Sequence, residues 1–154
     1  MDEGKRVFSA SADDIMPVVI EMLSLGKDFV LPVKGGSMLP FLVSDRDKVI
    51  IHAPEKILKK GDVVLYRRGN GKYVLHRIVR IDEHGDFEIV GDAQLASDYP
   101  VKHEQIIAVV KTAVRKGEEI EADSFKWKIF AGIFMKKAPK KIYLKSVYKR
   151  GRKS

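Results

Sequence analysis

Between residues 27 and 115 the chain is a series of short runs rich in β-branched and aromatic residues, with turn signals between them and no helical stretch joining any two. That pattern limits the fold more than any other feature. The runs are 29–33, 49–51, 63–66, 73–81, 87–90 and 106–114. Asn70-Gly71 reads as a strong hairpin turn, and His84-Gly85-Asp86 as a second. Parallel strands need crossover helices, so a parallel α/β sheet is disfavoured. The predicted fold is mainly β: a small antiparallel, partly closed barrel or sandwich.

Helical patterns flank this region. Asp13 or Asp14 is placed to cap a first helix, and Pro17 then falls in its first turn, where a missing N–H costs little. Ile15, Val18, Val19, Met22 and Leu23 are spaced as one buried face, and Gly26 is placed to stop the helix. Residues 116–123 read as a polar turn closing the β region. Asp123 or Ser124 is placed to cap a second helix. There Phe125, Ile129, Phe130 and Ile133 would share a face, with Trp127 and Phe134 near its edges and Pro139 ending or kinking it. The expected organisation is a helical segment over 1–26, a β-rich domain over 27–123 and a basic, aromatic, helical tail over 124–154.

The charge sits in that tail. After Asp123 there is no acidic residue, while 11 of the 29 lysines and arginines follow it. The rest of the chain carries 18 basic against 21 acidic residues. Trp127, Phe130, Phe134, Tyr143 and Tyr148 interleave with these cations, which suits the interface of an anionic membrane. The same composition suits a solvated basic tail; nucleic acid is the least favoured partner. No apolar run approaches the ~18–20 residues that span a bilayer, and no apolar core precedes the Ala10-Ser11-Ala12 triplet, so neither a transmembrane helix nor a signal peptide is predicted. The expected location is cytoplasmic or peripheral to a membrane. There is no cysteine, which excludes disulfides, thiolate metal sites and a cysteine nucleophile. The four histidines show no His-x-x-x-His pair, so no metal or cofactor is expected.

The sharpest chemical feature is Gly35-Gly36-Ser37-Met38-Leu39-Pro40. Two glycines let the backbone pass close to another group or take positive φ. A serine directly after them sits on a tightly bent segment, where its own N–H and that of Gly36 can face a developing oxyanion. Gly-Gly-Ser also serves ordinary turns. A serine needs a base to act as a nucleophile at neutral pH. His76 shares a strand face with Val74 and Ile78, which desolvates the imidazole and favours its neutral form. The same pattern fits a core histidine. Asp92 and Asp98 follow a strand and offer carboxylates to orient that base, but spacing alone does not choose between them.

Together the motifs Gly-x-Ser-Met-x-Pro, Lys60-Gly61-Asp62-Val63-Val64, Leu75-His76-Arg77-Ile78-Val79 and Gly91-Asp92 resemble, in that order, the type I signal peptidases and their relatives, the self-cleaving domains of SOS-response repressors. The resemblance covers about residues 33–110. It implies a serine endopeptidase with Ser37 as nucleophile and His76 as base, in the branch that uses histidine where bacterial signal peptidases use lysine. It also implies Asp98 as the partner of the histidine, with Asp92 nearby as a structural acid. The implied substrate is a peptide or protein precursor with small residues before the cleaved bond. Gly35 stands where many signal peptidases have a serine that aids the oxyanion hole, which leaves that role to backbone N–H groups of Gly36 and Ser37. The alternatives are a non-catalytic domain of the same fold docked through its tail, or a self-cleaving regulatory domain, for which Ala131-Gly132 offers a small-residue bond.

Overall fold

The structure, a computed structural model, describes residues 12–55 and 57–137. Its elements in chain order are helix α1 (Ala12–Ser24), strands β1 (Phe29–Pro32), β2 (Lys48–His52), β3 (Val63–Arg67), β4 (Tyr73–Ile81), β5 (Phe87–Val90), β6 (Asp98–Val101), β7 (Ile106–Arg115) and β8 (Glu118–Glu121), and helix α2 (Phe125–Lys137). All pairings are antiparallel, and the strands lie in the order β1-β2-β7-β3-β4-β5-β6, with β8 added to β7. The mainly β, antiparallel class expected from the sequence holds, flanked by the two helices, but the sheet does not close into a barrel.

Two strands lie where only turns and loops were expected. Residues 116–123 are not merely a polar turn: Lys116 and Gly117, with φ of 50° and 81°, make a two-residue connection of the I′ kind between β7 and β8. Ile120 then pairs with Ala113 and is 2 % exposed. One inward apolar side chain among glutamates suffices for a short strand that finishes a sheet. β6, carrying Asp98, pairs with β5.

The sheet buries both faces. On one, Val63 and Leu65 pack with Ile15, Met16, Val19 and Leu23 of α1 and with Trp127 and Ala131 of α2. On the other, Val64, Tyr66, Ile78, Phe87, Ile89 and Val101 form a second cluster. In α1 the buried face includes Met16 in place of Val18, which is exposed. The helix begins at Ala12, so Pro17 lies inside it and not in the first turn. Gly26, at φ 77°, ends it: its N–H reaches the Leu23 carbonyl and that of Lys27 the Met22 carbonyl.

The expected face of α2 is corrected. Trp127 and Ala131 are buried, whereas Phe125, Ile129 and Ile133 are exposed. The helix is apolar on nearly every side, so spacing alone could not choose the face. What chooses is Trp127, whose indole N–H donates to the Gly61 carbonyl at 3.3 Å and whose ring meets Phe41 edge-on at 5.4 Å. Pro139, Tyr143 and Tyr148 lie outside the described residues, and the contacts of Phe134 are likewise undescribed.

Candidate active site

Ser37 opens the turn that follows β1. Gly35, at φ 74°, bends the chain just before it, and buried Met38, Phe41 and Leu42 anchor the chain just after. Ser37 itself is half-buried. No hydrogen bond among the described residues uses the N–H of Gly36 or of Ser37. The Ser37 carbonyl, by contrast, accepts from the Ala93 N–H at 2.9 Å. Ala93 belongs to the turn after β5, closed by the Gln94 N–H on the Gly91 carbonyl at 2.8 Å.

Gly91 is the contact point between the two halves of the site. Because Arg77 pairs with Val90, Gly91 comes alongside His76. A Cβ there would lie 2.5 Å from the Ser37 carbonyl oxygen and 3.1 Å from His76 Cδ2. Only glycine permits that approach. The serine loop and the histidine ring thus both border the space that a side chain at position 91 would fill.

His76 is 1 % exposed. Burial, reinforced by the Arg68 charge and opposed by that of Asp98, pushes its pKa down to about 4, so the ring is neutral at physiological pH. Its Nε2 is the one buried side-chain nitrogen or oxygen without a hydrogen-bond partner among the described residues; in this arrangement it makes no bond to Ser37 Oγ. The displaced pKa has a consequence for stability. An unfolded histidine titrates near 6.5, so between there and pH 4 the unfolded chain takes up a proton that the folded chain refuses. Stability is expected to fall as pH drops through that window, by about 3 kcal/mol from this ring. Urea unfolding at pH 7 and pH 4.5 checks it: the His76→Phe variant is expected to lose distinctly less on acidification than the native protein.

The two aspartates take separate partners. Asp92 faces Arg77, not His76: both are almost fully buried and meet through two bonds of 2.8 and 2.9 Å. Burial pushes the Asp92 carboxyl up, and the guanidinium beside it pulls it down. Arg77 also donates to the Gly61 carbonyl at 2.9 Å and lies over the rings of Phe41 and Trp127. Asp98 has no direct bond to His76 either. Tyr66 of β3 stands between them. Its hydroxyl donates to Asp98 Oδ2 at 2.5 Å and lies 3.3 Å from His76 Nδ1. Arg68 Nε donates to the same carboxylate oxygen at 2.6 Å. Sequence reasoning treated Tyr66 as a strand residue only. The signal for it was the hairpin centred on Asn70, which sets Val64 opposite His76 and so puts Tyr66 one step along on the same face.

Beside Ser37 is a cavity of about 230 Å³. Its walls are mainly apolar: Ile15 and Met16 of α1, Leu31 and Val33, and Leu65, Tyr73 and Leu75. Ala131 is buried within α2, so the Ala131–Gly132 bond is not presented in the extended form that a peptidase needs.

The structure thus has an antiparallel sheet on which a loop serine and a buried, neutral strand histidine both approach Gly91, with an apolar cleft beside the serine. The chain belongs to the Peptidase S24-like family, whose model matches residues 4–114. No curated protein and no solved structure matches it.

Proposed function

We propose that the protein is a serine endopeptidase acting on a peptide or protein precursor with small, apolar residues before the cleaved bond. The observation that carries this reading is the meeting of the Ser37 loop and the neutral His76 ring at Gly91, with His76 Nε2 buried and free of other partners. In the proposed cycle His76 Nε2 takes the Ser37 hydroxyl proton as Oγ attacks the peptide carbonyl carbon. The N–H groups of Gly36 and Ser37, unused within the described residues, face the resulting oxyanion. His76 returns the proton to the leaving amine, and water, activated by the same nitrogen, releases the acyl group. Asp92 acts structurally through Arg77, and Asp98 supports His76 from a distance. No metal or cofactor enters these steps. The test is a mass-spectrometric screen of a diverse peptide pool with native protein and with Ser37→Ala; cuts common to both, or none in either, count against the reading.

The tail supplies a place to work. Phe125, Ile129 and Ile133 lie at i, i+4 and i+8 along α2, exposed by 81, 46 and 47 %. Exposed Lys128 flanks them, as does Lys126, which is paired with Glu118, and every charged residue beyond is basic. We assign this stripe to the surface of an anionic bilayer, where apolar side chains enter the headgroup boundary and each cation contributes about 1 kcal/mol. No helix among the described residues is long and apolar enough to cross a membrane. The native protein is expected to sediment with phosphatidylglycerol-containing vesicles, and a Phe125→Ser, Ile129→Ser, Ile133→Ser variant to remain largely in the supernatant. Equal sedimentation of the two would remove the stripe from the interaction.

A further inference from the structure

We infer that Tyr66 is a positioning residue that fixes the tautomer of His76: its hydroxyl carries the influence of Asp98 to the imidazole and leaves the lone pair on Nε2, the ring atom next to the Cδ2 that approaches Gly91. This rests on the peptidase reading above for its purpose, but not for its geometry.

The argument is a count of protons. A phenol has one proton to donate and lone pairs to accept with. The acceptor at 2.5 Å is Asp98 Oδ2, a carboxylate also held at 2.6 Å by the Arg68 guanidinium. A carboxylate paired with a cation has no proton to offer, so the Tyr66 proton points to Asp98. Burial, with the hydrogen bond to Asp98 second, pushes the Tyr66 pKa well above its usual value, so the phenol stays protonated. Toward His76 the hydroxyl oxygen is then only an acceptor. The 3.3 Å contact to Nδ1 is satisfied only if Nδ1 bears the hydrogen. A neutral imidazole carries one N–H, so Nε2 has none. That is the nitrogen without a partner, and the neighbouring Cδ2 would lie 3.1 Å from a Cβ at position 91, beside the Ser37 carbonyl.

In a direct Ser–His–Asp arrangement the carboxylate itself accepts from the imidazole. Here a neutral hydroxyl is inserted. The histidine lies in an apolar cluster with Val64 and Ile78, and the carboxylate sits nearer the surface, half-buried with Arg68. The insertion lets the ring be oriented without placing a charge against it.

The test has a spectroscopic arm that needs no substrate. Nitrogen-15 NMR of histidine-labelled native protein near pH 7 is expected to show one ring nitrogen protonated and one bare for His76, with the proton on Nδ1. In Tyr66→Phe the ring and its packing remain while the hydroxyl goes, and Asp98 keeps Arg68. The Nδ1–H form is expected to lose its dominance, and kcat on a cleaved peptide to fall roughly tenfold or more with KM little changed. A proton on Nε2 in the native protein overturns the assignment. So does a Tyr66→Phe variant with native tautomer and native kcat. The native spectrum decides even if the variant does not fold. Absence of any Ser37-dependent cleavage would strike the peptidase reading alone, because the tautomer is read without turnover.

Discussion

Ser37→Ala is expected to abolish peptide cleavage while leaving the fold and its melting temperature unchanged. The reason lies in what holds the loop. Ser37 is fixed through its backbone carbonyl on Ala93, and its neighbours Met38 and Phe41 are fixed in the core; all of these survive the substitution. Only the hydroxyl is lost, and with it the proposed nucleophile. When serine and base act as a unit, removing either costs nearly as much as removing both, on the order of 10⁴- to 10⁶-fold in kcat. His76→Ala is therefore expected to fall to the same floor, and the double variant no lower. The measurement is kcat on one peptide taken from the screen. Activity of Ser37→Ala within tenfold of native would exclude Ser37 as nucleophile.

The second large effect is on stability. Asp92→Ala is expected to lower the free energy of unfolding by about 3–5 kcal/mol, because it removes the carboxylate bonded twice to the buried Arg77 guanidinium. The Arg77 side chain is 1 % exposed, and Asp92 is the carboxylate that bonds both its Nε and its Nη2. The pair ties the turn after β5 to β4 and, through Gly61 and Trp127, to α2. For a domain whose whole stability is of order 5–15 kcal/mol, that loss is severe. Replacing both partners with apolar residues is expected to recover much of it, since no charge is then buried alone. Urea unfolding of the two variants checks the claim; a loss below about 1 kcal/mol in Asp92→Ala would mean that the pair is not the buried unit described.

Much of this was legible in the residues themselves. Alternation and the Asn70-Gly71 turn define β3 and β4, and through them the face that His76 occupies. Gly26 marked the end of α1. What stayed hidden depended on contacts distant in sequence. Asp92 and Asp98 sit six apart, and nothing local shows that one turns toward Arg77 while the other meets a tyrosine from β3. β6 and β8 are four residues each, with too few inward apolar positions to show a period. In α2 two apolar faces compete, and the carbonyl of Gly61, far away in the chain, selects the one that carries Trp127.

His76 and Arg77 are neighbours on β4, yet the pleat sends the base to one side of the sheet and the guanidinium to the other. A slip of β4 by one residue would exchange them, presenting a permanent cation to the serine loop and an imidazole to the pocket built for Arg77. The strand therefore has one productive phase and one inert phase. Two backbone bonds of 2.8 Å, Gly61 N–H to the Ile78 carbonyl and Ile78 N–H to the Asp62 carbonyl, lock it into the first. Under the proposed peptidase reading, strand phase and not only side-chain identity would make the site competent, and turnover would report whether β4 has been set down in register.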